Sequence, residues 1–400
     1  MKIKNLIRTW MMLGALLLAG SCERLHEPGG QADGGAIGFV AEVALVADGT
    51  KASTLDTRTS FEDGDEFRVY ARRVGEGRNT RLFGDDGTLV ACDDHSTPLD
   101  PSDDTWTYSP TNYWYWVNQS NYYDFLAVYP DPDGAGQSER MTDGSGNDIP
   151  GNLAIQKAYS ITLNGSGALQ AGTDLLMAGT RRTGANVGTR TALVPLNFHH
   201  MLSAVKVVVT NVSDGQSLTL NSIKFDNLIH SAKAKVTIDA MGQPEFSWID
   251  TQRRSDEVTV YTNASDPALA ANGGEYDPAA YDLLIPADLS VAIDGSLVPE
   301  RSNYNTDLEY ENALASYREN KLPHLIVNFT PQGDVATEKA IVLTDIQQSP
   351  VANDDPLLEW EPGIRYTYNI SIRLDGGVLV TVVTTAWEEI TAETPGLLIE

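Results

Sequence analysis

Residues 366–374 read Tyr-Thr-Tyr-Asn-Ile-Ser-Ile-Arg-Leu, apolar and polar in strict alternation. A period of two puts every apolar side chain on one face of an extended chain and every polar one on the other. Asp375-Gly376-Gly377 follows, and then a Val- and Thr-rich run from Val378 to Trp387. Two β-rich runs joined by Gly-Gly read as a hairpin. Further strands are expected at Ile37–Val46, Phe67–Arg72, Tyr123–Tyr129, Val205–Thr210, Leu218–Phe225, Lys233–Ile238, Glu257–Tyr261, Leu283–Ile285, Leu325–Phe329 and Lys339–Leu343. Their spacing of about ten residues, with Gly, Asn, Asp and Pro between them, predicts antiparallel sandwiches. A single helix is expected from Leu308 to Lys321, with Leu308, Leu314 and Tyr317 sharing a face.

At 400 residues the chain has room for about two domains at roughly 100–200 residues each. The polar, Gly-containing stretch from Thr183 to Thr191 places a boundary there, giving domains over 59–190 and 191–400. With 28 Lys and Arg against 55 Asp and Glu, the formal charge is −27, and nucleic acid is excluded as a partner. Two cysteines, Cys22 and Cys92, cannot make a disulfide framework.

The N-terminus reads as an address. Lys2, Lys4 and Arg8 form a basic region, Trp10 to Ala19 a short apolar core, and Ala19-Gly20-Ser21 run into Cys22. That is a signal peptide over 1–21, too short in its apolar part to span a bilayer. The run into Cys22 is similar to a bacterial lipobox, with cleavage between Ser21 and Cys22 and acylation of the cysteine; ordinary secretion is the plainer alternative. Residues 22–58 then form a lipidated N-terminal segment that carries a strand. Its first part, from Glu23 to Ala36, is Gly-rich and polar like a flexible tether.

Catalytic signatures are missing. No GxSxG, HExxH, P-loop or GxGxxG occurs, so the chain is read as a non-enzyme without cofactor or metal. Asp143 to Asp148 resembles a calcium loop only in outline and lacks its distal Glu; it reads as a solvated acidic loop. His199 and His200 are adjacent, so on a strand they point to opposite faces and cannot share an ion. Cys92 lies in an acidic loop near His95, which favours an inert thiol. A belt of rings runs from Trp106 through Trp114 and Trp116 to Tyr129. These rings either pack the first domain or, at Trp114 and Trp116, stack on glycans.

Several segments carry a resemblance. They are the lipobox at Cys22; Thr57-Arg58-Thr59 followed by Phe61-Glu-Asp-Gly-Asp65; Tyr122 to Pro130; Asp174-Leu-Leu-Met-Ala178; Val194 to Val205 around His199-His200; Trp360-Glu-Pro-Gly363 leading to Tyr366 and Tyr368; and Trp387. In this order and spacing they resemble the fimbrillin family, lipoprotein precursors of type V pilus subunits and accessory subunits.

The resemblance implies an all-β chain of two tandem transthyretin-like antiparallel β-sandwich domains with few short helices. It implies export to the cell outer membrane, anchoring through lipid (palmitate among it) on Cys22, and cleavage between Arg58 and Thr59 by an arginine-specific protease. Ile37, Phe39, Ala41, Val43 and Leu45 alternate on one strand face, so losing 22–58 removes that strand. Another fimbrial subunit then donates a strand in its place, and the filament contributes to adhesion to surface glycans or proteins. Thirteen residues follow Trp387, enough for one strand with little linker. Shaft, tip and anchor roles therefore stay open, as does a non-polymerising lipoprotein that binds glycans.

Overall fold

The computed structural model describes residues 38–43, 61, 63–75, 78–83, 87–93, 105–108, 122–130, 154–170, 172–183, 193–253, 257–263, 268–278, 280–290, 298–348, 357–374 and 377–386. Its strands are β1 (Gly38–Val43), β2 (Glu66–Gly75), β3 (Arg78–Arg81), β4 (Thr88–Asp93), β5 (Thr105–Tyr108), β6 (Tyr122–Tyr129), β7 (Ala154–Ser160), β8 (Leu176–Arg182) and β9 (Leu193–His200). They continue as β10 (Ser203–Asn211), β11 (Leu218–Asp226), β12 (Ile229–Ile238), β13 (Pro244–Arg253), β14 (Val258–Thr262), β15 (Gly274–Tyr276), β16 (Asp282–Leu284) and β17 (Ala287–Asp288). After the helix α1 (Asp307–Lys321) come β18 (His324–Pro331), β19 (Thr337–Val342), β20 (Gln347–Gln348), β21 (Glu359–Trp360), β22 (Ile364–Arg373) and β23 (Gly377–Ala386). The chain is all-β with one α-helix among the described residues.

The first sheet runs β1-β9-β8-β6-β2-β4-β5, with β3 beside β2. It curls until its end strands meet, and Phe39 on β1 touches Tyr108 on β5 at 5.7 Å between ring centres. Alternate residues of the central strand β6 feed two cores. Tyr123, Phe125, Ala127 and Tyr129 point into the curl, where Phe67 and Phe198 also sit. Leu126 and Val128 point outward and join a second core with Ile155, Val236 and Ile238. The hairpin β12–β13 lies over this outer face. A Cβ on Gly179 would come within 3.0 Å of Ile238 and of Pro244, so glycine there permits the close approach. Strand β7 completes the three-stranded sheet β13-β12-β7.

Asp124 is the charged residue on β6 and is fully buried. Register places Arg72 and Arg181 directly beside it on β2 and β8. Arg72 donates from Nε and Nη2 at 3.1 and 2.8 Å, and Arg181 from Nε and Nη2 at 2.6 and 3.0 Å. Arg181 also lies over the Tyr122 ring at 4.1 Å. A buried carboxylate is tolerable only with such a set of charged donors.

The second core lies between the sheets β15-β10-β22-β23-β20 and β14-β11-β18-β19. The alternating run of β22 behaves as its pattern dictates: Tyr366, Tyr368, Ile370 and Ile372 are buried, and the residues between them are not. Both tyrosine hydroxyls find partners in the preceding turn. Trp360 donates from Nε1 to the Tyr368 hydroxyl at 2.8 Å, and Glu361 donates its backbone N–H to the Tyr366 hydroxyl at 2.7 Å. Burial pushes both phenols up from their ordinary value.

Two findings depart from the expected antiparallel sandwich and its helix. The ladders β1–β9, β10–β22 and β20–β23 are parallel. Parallel neighbours need a connection long enough to bring the chain back, which period-two patterning does not encode. In α1, Tyr317 is buried but Leu308 is 70% exposed. Nine residues apart at about 100° each, the two point to opposite sides of the helix. The helix instead owes its start to a capping box: Thr306 accepts from the Glu309 N–H at 3.1 Å, and the Glu309 carboxylate accepts from the Thr306 N–H at 3.1 Å.

Replacing Asp124 by Ala leaves two arginines facing each other without their shared carboxylate. The expected loss is roughly 3–5 kcal/mol, read from urea unfolding. Asp282, half-buried on β16, gives a pH signature. Burial lifts its carboxyl from 3.8 to about 7. A raised carboxyl favours the fold fully below its unfolded value, and that contribution disappears as pH rises through about 7. Asp282→Asn is therefore expected to gain roughly 1–3 kcal/mol on the parent at pH 8 and nothing at pH 4.

Candidate functional site: the first strand and its groove

An alternating apolar strand is built to bury one face, and β1 does so in an unusual place. Its side chains Phe39 and Ala41 are 3% and 7% exposed. Phe39 meets Phe83, Tyr108 and Phe125 edge-on, with ring centres 6.2, 5.7 and 6.1 Å away. Such contacts add to the roughly 3 kcal/mol from burying the phenyl ring itself. Among the described residues β1 pairs on one side: it runs parallel to β9 with Gly38 opposite Leu193 and Val43 opposite Phe198. Without β1, β9 would present an unpaired edge above an apolar groove lined by Phe83, Tyr108 and Phe125.

Residues beyond β1 hold the groove in shape. Phe61 packs on Phe67, Phe198, Tyr129 and Trp106 at 5.1–5.7 Å. The turn after it is sewn to β4, with Gly64 donating to the Cys92 carbonyl at 3.0 Å and Cys92 to that of Asp65 at 2.9 Å. The Tyr129 hydroxyl donates to Asp65 at 3.2 Å. Gly64 has φ +82°, a conformation that glycine adopts at no steric cost. Cys92 is buried in the first core, so its place is in packing.

At the far end of β9 the histidines part as their spacing predicts. His200 is buried, its Nδ1 2.7 Å from Asp174 Oδ2. His199 lies over the Phe246 ring at 4.7 Å; burial first, and then the neighbouring His200, holds it below its ordinary value. Gly363 donates to the Leu202 carbonyl at 2.8 Å, and Ser203 Oγ donates to that of Glu361 at 2.9 Å. Three segments distant in sequence, around Asp174, His200 and Gly363, thus meet at one joint.

The sequence offered no sign of the Asp174–His200 pair or of the Asp124 cluster, since both depend on strand register. Ser21, Cys22, Arg58, Thr59, Trp114 and Trp116 lie outside the described residues. Of the ring belt, Tyr108, Tyr123, Phe125 and Tyr129 are buried in the first core, and Trp106 packs against it. Among the described residues no group of three His, Cys, Asp or Glu is placed to hold a metal ion.

Residues 50–387 match the sequence model of the fimbrillin-like family, so that β1 precedes the matched stretch. Among solved structures, the chain is similar to a fimbrial protein of Bacteroides vulgatus at 15% identity and a TM-score of 0.49, covering 88% of this chain and 99% of that one. A candidate cell adhesion protein of Bacteroides uniformis is 16% identical with a TM-score of 0.45, over 88% and 99% of the two chains. The tip fimbrial protein Mfa3 of Porphyromonas gingivalis, truncated at its C-terminus, is 11% identical with a TM-score of 0.36, over 84% and 97%. None of the curated proteins matches the chain.

Phe39→Ala tests how firmly β1 is seated. It is expected to cost about 3–5 kcal/mol, with a lowered urea midpoint. An unchanged midpoint would show that the strand adds nothing to the core.

Proposed function

We propose, from the premise that this chain belongs to the fimbrillin-like family, that it is a structural or accessory subunit of cell-surface fimbriae. It is exported as a lipoprotein, acylated at Cys22 and carried to the outer membrane. Cleavage between Arg58 and Thr59 then removes 22–58, and β1 with it. The single observation that supports this reading is the seating of β1: one ladder, one buried face, and a position N-terminal to the cut.

The physical logic is strand replacement. Removing β1 uncovers β9 and the aromatic groove together. A strand from another subunit supplies the missing backbone partners, and its alternate side chains fill the place of Phe39 and Ala41. Donation from one copy to the next leaves a fresh acceptor each time, so growth is open-ended. Two tandem transthyretin-like domains, divided near residue 190, are the architecture expected for such a unit. The ladder β7–β12 ties residues on either side of that division. The fimbriae made in this way would contribute to adhesion.

Arg58→Ala tests the proposal. The parent, treated with an arginine-specific protease, is expected to begin at Thr59 and to give heat-sensitive high-mass ladders on gels. The variant should keep its N-terminal segment and stay monomeric. Ladders formed equally by the variant would sink the strand-replacement reading.

A further inference from the structure

An acidic chain that concentrates arginine in one place calls for an explanation. Arg72, Arg73, Arg78 and Arg81 fall on β2 and β3, and Arg181 and Arg182 on β8. Register brings them to one end of the first sheet. Arg72, Asp124 and Arg181 form one row on the outer face, with Arg81 opposite Arg72. Arg73, Tyr123 and Arg182 form the neighbouring row on the inner face.

Asp124 accounts for Arg72 and Arg181. Among the described residues the inner row has no such carboxylate. Arg73 has no ion-pair partner among the described residues. Arg182 donates from Nη2 to the Leu193 carbonyl at 3.4 Å, but its Nε is buried without a hydrogen-bond partner. A buried guanidinium nitrogen left unpaired is costly, and an anion is its natural complement. Arg73 and Arg182 flank Tyr123 on either side, so their Cα atoms are roughly 10 Å apart, within joint reach of one multivalent anion or two adjacent ones.

Exposed apolar side chains stand at the same end of the sheet, on its outer side. Leu193, whose carbonyl Arg182 holds, is 39% exposed. Met241, on the β12–β13 turn, is 82% exposed; Arg181 donates to the carbonyl of its neighbour Ala240 at 3.2 Å. Gly38, the first residue of β1, pairs with Leu193. The chain therefore enters the fold at the arginine end. Residues 23–37 separate Cys22 from Gly38 and span at most roughly 50 Å when extended.

We propose that this arginine end docks on a lipid surface. Arg73 and Arg182 take headgroup phosphates, Leu193 and Met241 enter the interface between headgroups and acyl chains, and the rest of the molecule, carrying most of the negative charge, faces away. The inference rests on the reading of Cys22 as the anchor, because the tether then holds this end close to the membrane. Guanidinium pairs phosphate oxygens two at a time, and basic residues flanked by apolar ones suit an interface more than bulk water. Docking would orient the unprocessed subunit, and cleavage after Arg58 would release it from the tether.

The test separates docking from anchoring. The chain from residue 22 with Cys22→Ser, which carries no lipid, is sedimented with vesicles of phosphatidylcholine alone or with phosphatidylglycerol added. Binding to the anionic vesicles is expected at low salt and should weaken as salt rises. Arg73→Gln with Arg182→Gln should lower it about twenty-five-fold, at about fivefold per arginine. Arg73→Lys with Arg182→Lys should retain most of it, which distinguishes a lost charge from a damaged fold. Equal binding to both vesicle types, or no effect of the Gln pair, overturns the proposal. So does retention on a sulfated polysaccharide that outcompetes the vesicles, which would assign the patch to acidic glycans. The mass of Cys22 in the native protein is a separate readout, and an unmodified cysteine there would remove the anchor reading while leaving the vesicle result to stand.

Discussion

Strand β6 is buried on both faces, and most of the architecture follows from that. A strand with one wet face can be read and placed by alternation alone. A strand with two dry faces must be covered twice, so the first sheet has to curl on one side and accept a second layer on the other. Phe125 and Tyr129 are met by rings inside the curl; Leu126 and Val128 are met by the β12–β13 hairpin. Gly179 is bare because the hairpin lies so near, and Asp124 is tolerated because two arginines reach it in register.

The curl also explains why β1 matters. A curled sheet leaves a seam, and β1 fills it between β9 and β5. Pairing with β9 and packing below give the strand a definite seat, with one ladder to break on removal among the described residues. Processing and assembly, as proposed, exploit a seam that the double burial of β6 makes unavoidable. The uneven distribution of charge acts on the same element. The arginines that neutralise Asp124 belong to a basic end at which the chain enters β1, although the protein as a whole carries −27.

Those sequence motifs that fall among the described residues are joints. Phe61 and Gly64-Asp65 close one end of the first core against β4 and β6. Asp174, just before β8, meets His200 at the end of β9, and Gly363 donates to the Leu202 carbonyl beside them. Trp360 and Tyr368 tie the last turn to its strand. These residues serve packing and hydrogen bonding.

Alternation made β22 readable, because a one-sided face writes its period into the chain, while β10 and β23 were marked by their density of β-branched residues. It also marked Phe39 and Ala41 as a buried pair. Strands such as β9 and β13 were missed for local reasons. Pro195 interrupts β9, tolerated where only the ladder to β1 runs, and β13 is an edge strand that buries little. What the sequence by itself determined was the all-β character, the presence of the helix and the inward face of the alternating run of β22, since these depend on neighbours a few residues apart. The parallel seat of β1, the pairing of Asp174 with His200, the Asp124 clasp and the gathering of arginines at one end were decided only by tertiary structure. Each joins residues far apart in the chain, and register between strands is set by how whole faces pack, which no local period records.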